Sequence, residues 1–201
     1  MLQPHLEQSP RVVTDPRARY PRPALRFGPD YREPVVLQDG RPAQLLSLRP
    51  EHAPELLEGF ARLSPRSRYH RFFGAKRTIG PEELRALTEL DGRDRYAIAA
   101  IVHTLRGWEG AAIARLVRAT DDPDAAEFAI TVLDEYQRKG LGRLLLDRLT
   151  AAARERGYTS LRGEVLAENR AMLGLLRNSA PGLTTELDGE VVTASVPLDV
   201  G

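Results

Sequence analysis

The chain has 201 residues, with 42% hydrophobic and 28% charged side chains and a formal net charge of +1. Those figures describe one ordinary globular domain with room for a tail, and the charge is too small to argue for nucleic acid as a partner. No apolar stretch approaches the roughly 20 residues that a membrane span needs, and no secretory leader is visible. The absence of cysteine excludes disulfides, thiolate metal sites and thiol nucleophiles. The four histidines, His5, His52, His70 and His103, show no metal-ligand spacing, so a cytoplasmic protein without a metal is expected.

Residues 1–34 carry seven of the fifteen prolines with arginines between them. Such a segment buries too little to offset its ordering entropy, so a mobile arm is expected there and the folded domain over 35–201. Residues 35–38 and 43–49 read as strands joined across Asp39-Gly40-Arg41-Pro42. Pro50 opens a helix running to about Leu63, and Ser64-Pro65 and Gly80-Pro81 open two more. Strands are predicted over 96–104 and 111–118, with a turn over 106–110, and over 127–132. The clearest helix spans 140–156, with Leu141, Leu144, Leu145, Leu149 and Ala152 on its buried stripe and Gly157 as its stop. A strand over 160–165, a helix over 169–177 and a hairpin of 184–187 and 191–196 across Asp188-Gly189 complete the chain. The order is a mixed α/β layout with antiparallel and crossover connections.

Chemistry concentrates where strand, loop and helix meet at 127–146. Gly140 and Gly142 leave the backbone bare at a helix start, whose first amides have no partner inside the helix. With the positive end of the helix dipole they make an anion site that fits a pyrophosphate, and Arg138, Lys139 and Arg143 add charge. A dinucleotide-binding fingerprint needs a third glycine at 145, which is leucine, and no Walker sequence is present. Taken alone, the glycines could equally relieve crowding at the helix start.

The string Glu127-Phe-Ala-Ile-Thr-Val-Leu-Asp-Glu-Tyr-Gln137-Arg-Lys-Gly140-Leu-Gly142-Arg resembles the cofactor motif of the GNAT superfamily of N-acetyltransferases, Q/R-x-x-G-x-G/A between a strand and a helix. Gly163-Glu164-Val165-Leu166-Ala167-Glu168-Asn169-Arg170 resembles that fold's fifth strand and the helix after it. Residues 63–73, from Leu63-Ser64-Pro65 to Phe72-Phe73, are similar to a segment of Pat-type protein lysine acetyltransferases. The likeness covers about 35–198, with the three motifs in order.

This resemblance implies a mixed, mostly antiparallel central sheet flanked by helices. Its fourth strand (127–132) would splay from the fifth (160–165) to form a cleft for acetyl-CoA, the co-substrate. The pantetheine arm would lie against Ile130, Thr131 and Val132, and the pyrophosphate against Gln137, Arg138, Lys139, Gly140, Leu141, Gly142 and Arg143. Asn169 matches an asparagine that reaches toward the cofactor. Glu127 falls where Pat-type enzymes carry a glutamate and is the candidate general base. A lysine amine with a pKa near 10.4 is only about one part in 2,500 neutral at pH 7, a cost of roughly 4–5 kcal/mol unless a base takes the proton. Val132's amide is the candidate donor to the developing oxyanion, or else an ordinary ladder donor. Leu176 stands where many relatives carry a tyrosine acid, so no residue is assigned to protonate the thiolate.

The implied activity is acetyl transfer in a ternary complex to the side-chain amine of a protein lysine, with no nucleic acid or membrane as partner. A small-amine or antibiotic acetyltransferase is the alternative enzyme. A non-catalytic acyl-CoA-binding module is the alternative of another class.

Overall fold

The computed structural model describes residues 25–198. In chain order the elements are β1 (Arg32–Val36), β2 (Pro42–Ser47), α1 (Ala53–Arg62), α2 (Pro65–Phe72), α3 (Pro81–Thr88), β3 (Arg95–Thr104), β4 (Gly107–Arg118), β5 (Ala125–Val132), α4 (Leu141–Glu155), β6 (Ser160–Leu166), α5 (Arg170–Ser179), β7 (Thr184–Asp188) and β8 (Val191–Pro197). The eight strands form one sheet in the order β1-β2-β3-β4-β5-β6-β8-β7. Every neighbouring pair is antiparallel except β5 and β6, which run parallel because α4 carries the chain across between them. The mixed, mostly antiparallel sheet flanked by helices is the architecture the sequence implied.

Helices cover both faces. Leu141, Leu145, Leu146, Leu149, Ala152 and Ala153 of α4 are buried, packed on the strands at the centre of the sheet. The opposite face lies under α1 and α2, where Phe60 meets Phe72 edge to face at 5.7 Å. Ser64 caps α2 as its sequence suggested, its hydroxyl accepting from the Ser67 amide at 3.2 Å.

The boundary expected at residue 34 falls too late. Phe27 is 1% exposed and Tyr31 8%, both in the core, and β1 begins at Arg32. The amides of Arg26 and Phe27 donate to the Glu155 carboxylate at the end of α4. Arg148 holds Glu33 with two hydrogen bonds, at 2.8 and 2.5 Å, and Tyr31 donates to the same carboxylate at 2.6 Å. These donors, Arg148 first, hold the Glu33 carboxyl down at about 2. Proline density hid two core aromatics. The rest of the expected arm, 1–24, lies outside the described residues.

The turn expected over 106–110 is shorter, because Thr104 already pairs with Gly107, whose φ of 107° the absence of a Cβ permits. The predicted stripe of α4 differs at Leu144, which is only partly buried, while Leu146 is fully buried.

Candidate active site

The site follows from how β5 is paired. Its ladder with β4 runs without interruption from Ala126 to Val132, but its ladder with β6 covers only Ala125, Ala126 and Glu127. Leu133 donates to the Ala111 carbonyl, and the Ala125 carbonyl accepts from Ala119. Because peptide groups alternate sides along a strand, odd-numbered residues of β5 face β4 and even-numbered ones face β6. Past the last pairing at Glu127, Ile130 and Val132 therefore present their backbone to a gap that β6 does not fill.

Phe128 and Gly163 mark the point of separation. A Cβ on Gly163, the residue of β6 just past its last pairing with β5, would meet the Phe128 ring at 2.6 Å. Only a glycine lets the ring sit there, at the point where the strands leave their pairing at Glu127. The resulting cleft has a volume of about 1590 Å³.

Ten of the expected residues line it: Glu127, Ile130, Thr131, Val132, Gln137, Arg138, Gly140, Gly142, Arg143 and Asn169. Thr131 does so differently from expectation, since its backbone faces β4 opposite Ile113 and only its side chain is left for the cleft. Lys139 does not line it: its ammonium lies 3.3 Å from Asp39 and over the Tyr136 ring. Leu141's side chain is fully buried, so only its amide is left for a ligand.

The loop into α4 is braced from outside. The Gln38 amide donates to the Lys139 carbonyl at 3.3 Å, and Gln38's side chain packs against Gly140. Arg41, with Lys139, holds the Asp39 carboxyl down at about 2. Gly140 takes a φ of 88° and Arg138 one of 56°, and a left-handed arginine is costly enough to signal a loop fixed by its surroundings. The first intrahelical bond of α4 is Leu144 N–H to Gly140 C=O, and no side chain caps the helix. The amides of Leu141, Gly142 and Arg143 are thus left at the positive end of a fifteen-residue helix.

At the other end of the cleft edge, Gln137 donates its side-chain amide to the Val132 carbonyl at 3.1 Å. That satisfies the acceptor of Val132 and leaves its N–H facing the gap. Asn169 caps α5, its side-chain oxygen accepting from Met172 N–H at 3.1 Å, so only its NH₂ is left for a ligand. Glu127 is exposed, and its carboxylate makes no hydrogen bond or ion pair among the described residues. Of the other acids lining the cleft, Asp134 is engaged by Ser64 and Ser67, Glu168 by His70 at 2.9 Å and Asp121 by Arg162, while Glu164 on β6 is, like Glu127, without a partner among the described residues. Leu176 is fully buried.

A free strand edge, an uncapped helix start and an exposed carboxylate meet at one cleft, an arrangement suited to a transferase that uses an acyl-CoA. The Acetyltransferase (GNAT) family model matches residues 46–179, and the chain belongs to that family. It is an acetyl-CoA-dependent acetyltransferase. Over 139 residues it is 32% identical to acetyltransferase PA5475 of Pseudomonas aeruginosa, an alignment spanning 69% of this chain and 74% of that protein. The crystal structure of the GNAT domain of S. lividans PAT superposes with a TM-score of 0.74 at 31% identity, covering 83% of this chain and 97% of that one. Acetyltransferase Pat of Mycolicibacterium smegmatis is 30% identical over 141 residues, which make up 69% of this chain but only 41% of that protein.

Sequence reasoning missed three features. The Phe128–Gly163 contact and the Gln38–Asp39 brace join residues far apart in the chain. Arg115 lines the cleft, and the alternating pattern around it gave no sign of which face it occupies.

Proposed function

We propose that this enzyme acetylates lysine side chains of a protein, the amine attacking acetyl-CoA directly in a ternary complex. One observation carries the reading: Glu127 stands unpaired at the point where β5 leaves β6, beside the free edge that suits the thioester arm. The likeness to PAT of S. lividans and Pat of M. smegmatis supports protein lysine as acceptor.

In this reading the cofactor supplies an activated acetyl thioester, and the rest is done by the chain. The backbone of Ile130 holds the pantetheine arm, and Val132 N–H stabilises the oxygen as it gains charge. The loop amides from Arg138 to Arg143 hold the pyrophosphate, with Gly142 letting it approach closely. Glu127 accepts the proton of the incoming ammonium through intervening water. The thiolate, with a pKa near 8.5, departs without a dedicated acid.

Incubation with acetyl-CoA and the host's soluble proteins, read by mass spectrometry beside a panel of polyamines and aminoglycosides, tests the acceptor. Enzyme-dependent lysine acetylation is the expected result. Efficient turnover of a small amine with no protein acetylation would replace this reading with the small-amine enzyme.

A further inference from the structure

Arg71 on α2 and Arg115 on β4 share the chamber beside Glu127, and neither has a counter-ion. Arg115 pairs across the ladder with Ala129, so Glu127 is its diagonal neighbour on the same face of the sheet, about 7–8 Å away. Ala129, being small, leaves the space in front of the guanidinium open. Arg71 reaches the same chamber from above, its guanidinium 5.1 Å from the Phe72 ring centroid. The Nε of Arg115 is buried and has no hydrogen-bond partner. Among the described residues, neither arginine forms an ion pair or a hydrogen bond. Glu83, the acid that acts on Arg71, is already bound to Lys76 at 2.8 Å.

Arg71 and Arg115 are partly buried, and desolvated guanidinium groups are ordinarily paired with a carboxylate, because desolvation without one is costly. Here burial, together with the charge of Arg71, lowers the Arg115 pKa to about 10, which leaves it cationic at neutral pH. Two such cations held together beside the base are poised for an anion that arrives from outside.

We propose that Arg71 and Arg115 form a carboxylate-binding subsite, so that the preferred acceptor carries a carboxylate close to the amine that is acetylated. The inference rests on the transferase reading, in which the acceptor enters on the Glu127 face. A planar guanidinium takes a carboxylate in a bidentate fork, which fixes the distance from that group to the amine as well as adding affinity. Two sources supply the same chemistry: an acidic side chain next to the lysine, or the lysine's own carboxylate at a chain terminus.

Steady-state kinetics of the full chain with four short peptides separates them: lysine flanked by Glu, lysine flanked by Gln, and a C-terminal lysine either free or amidated. The carboxylate-bearing acceptors should show kcat/KM higher by about tenfold or more, mostly through KM, the span of one or two charge-assisted hydrogen bonds. Preference for the Glu-flanked peptide assigns the subsite to a neighbouring acid, and preference for the free C-terminus assigns it to the lysine's own carboxylate. Arg115→Gln and Arg71→Gln should each bring the ratio down toward one, and Arg115→Lys should keep part of it. Calorimetry with acetyl-CoA on each variant verifies that it is folded. A ratio near one in the wild-type enzyme, or a preference surviving both glutamine variants, overturns the subsite. If free lysine is acetylated better than lysine amide while no peptide is turned over, the protein-acceptor reading fails and the subsite stands.

Discussion

β5 and α4, consecutive in the chain, are tied down at opposite ends. β5 is paired on both edges at Ala125–Glu127 and on one edge from Phe128 onward. α4 starts without a capping side chain and is anchored in its second half, where Glu155 accepts from Arg26 and Phe27 and Arg148 grips Glu33. The two loose ends meet at the loop 133–140. Unpaired backbone donors, which a fold ordinarily satisfies, are thereby collected in one place, while the anchored ends keep that place from collapsing.

Four substitutions bear on this contrast. Glu127→Gln, at the last fully paired residue of β5, should lower kcat by about 10²–10⁴ at neutral pH with acetyl-CoA binding retained. Stopped-flow or steady-state assay with calorimetry reads both, and near-wild-type turnover would return Glu127 to the surface. Gly163→Val attacks the boundary itself by driving a side chain into the Phe128 ring. It should destabilise the fold by about 1–3 kcal/mol in urea denaturation, with Phe128→Ala in the same chain recovering part of the loss. No recovery would mean that the Phe128 ring is not what requires a glycine at 163.

Gly142→Asp probes the loose end of α4. A Cβ there meets only the mobile tip of Leu175, at 3.2 Å, so the helix should fold while the carboxylate repels the pyrophosphate. Acetyl-CoA affinity should fall by more than about tenfold, some 1.4 kcal/mol, and an unchanged affinity would remove the loop from the cofactor site. Glu33→Gln probes the anchored end and has the smallest expected effect. The Glu33 pKa is depressed from about 4.5 to about 2, so its contribution is present above pH 4.5 and lost as pH falls toward 2. At neutral pH the variant should be about 1–2 kcal/mol less stable, allowing for the pair's contact with solvent. The difference from wild type should vanish in acid melts. A gap that persists at pH 2 would show the loss to be packing rather than charge.

Much of this was legible in the sequence because it rests on local rules. Glycines at 140 and 142 before a leucine stripe, Ser64-Pro65 and the Asp188-Gly189 turn each encode their own structure within a few residues. What was hidden depends on partners far along the chain. Nothing near Phe27 announces that its ring packs in the core or that its amide meets Glu155. The role of Thr131 turned on the parity of β5, which is set by where Ala125 and Leu133 bond to β4. Arg115 lies in a strand covered on both faces, so alternation could not say whether it met solvent or the cleft.

The parted ladder also sets two clocks within one strand. In the free enzyme the amides of Ile130 and Val132 have no partner across the gap, whereas that of Ala126 lies inside the paired segment. Hydrogen exchange at the first two is limited by solvent access alone, and at the third by opening of the sheet. An acyl-CoA lying along the edge acts as a missing strand, and it should slow the fast amides while leaving the slow one nearly unchanged. Bound in the proposed way, the cofactor would become part of the sheet, and the enzyme would complete its own secondary structure once in every turnover.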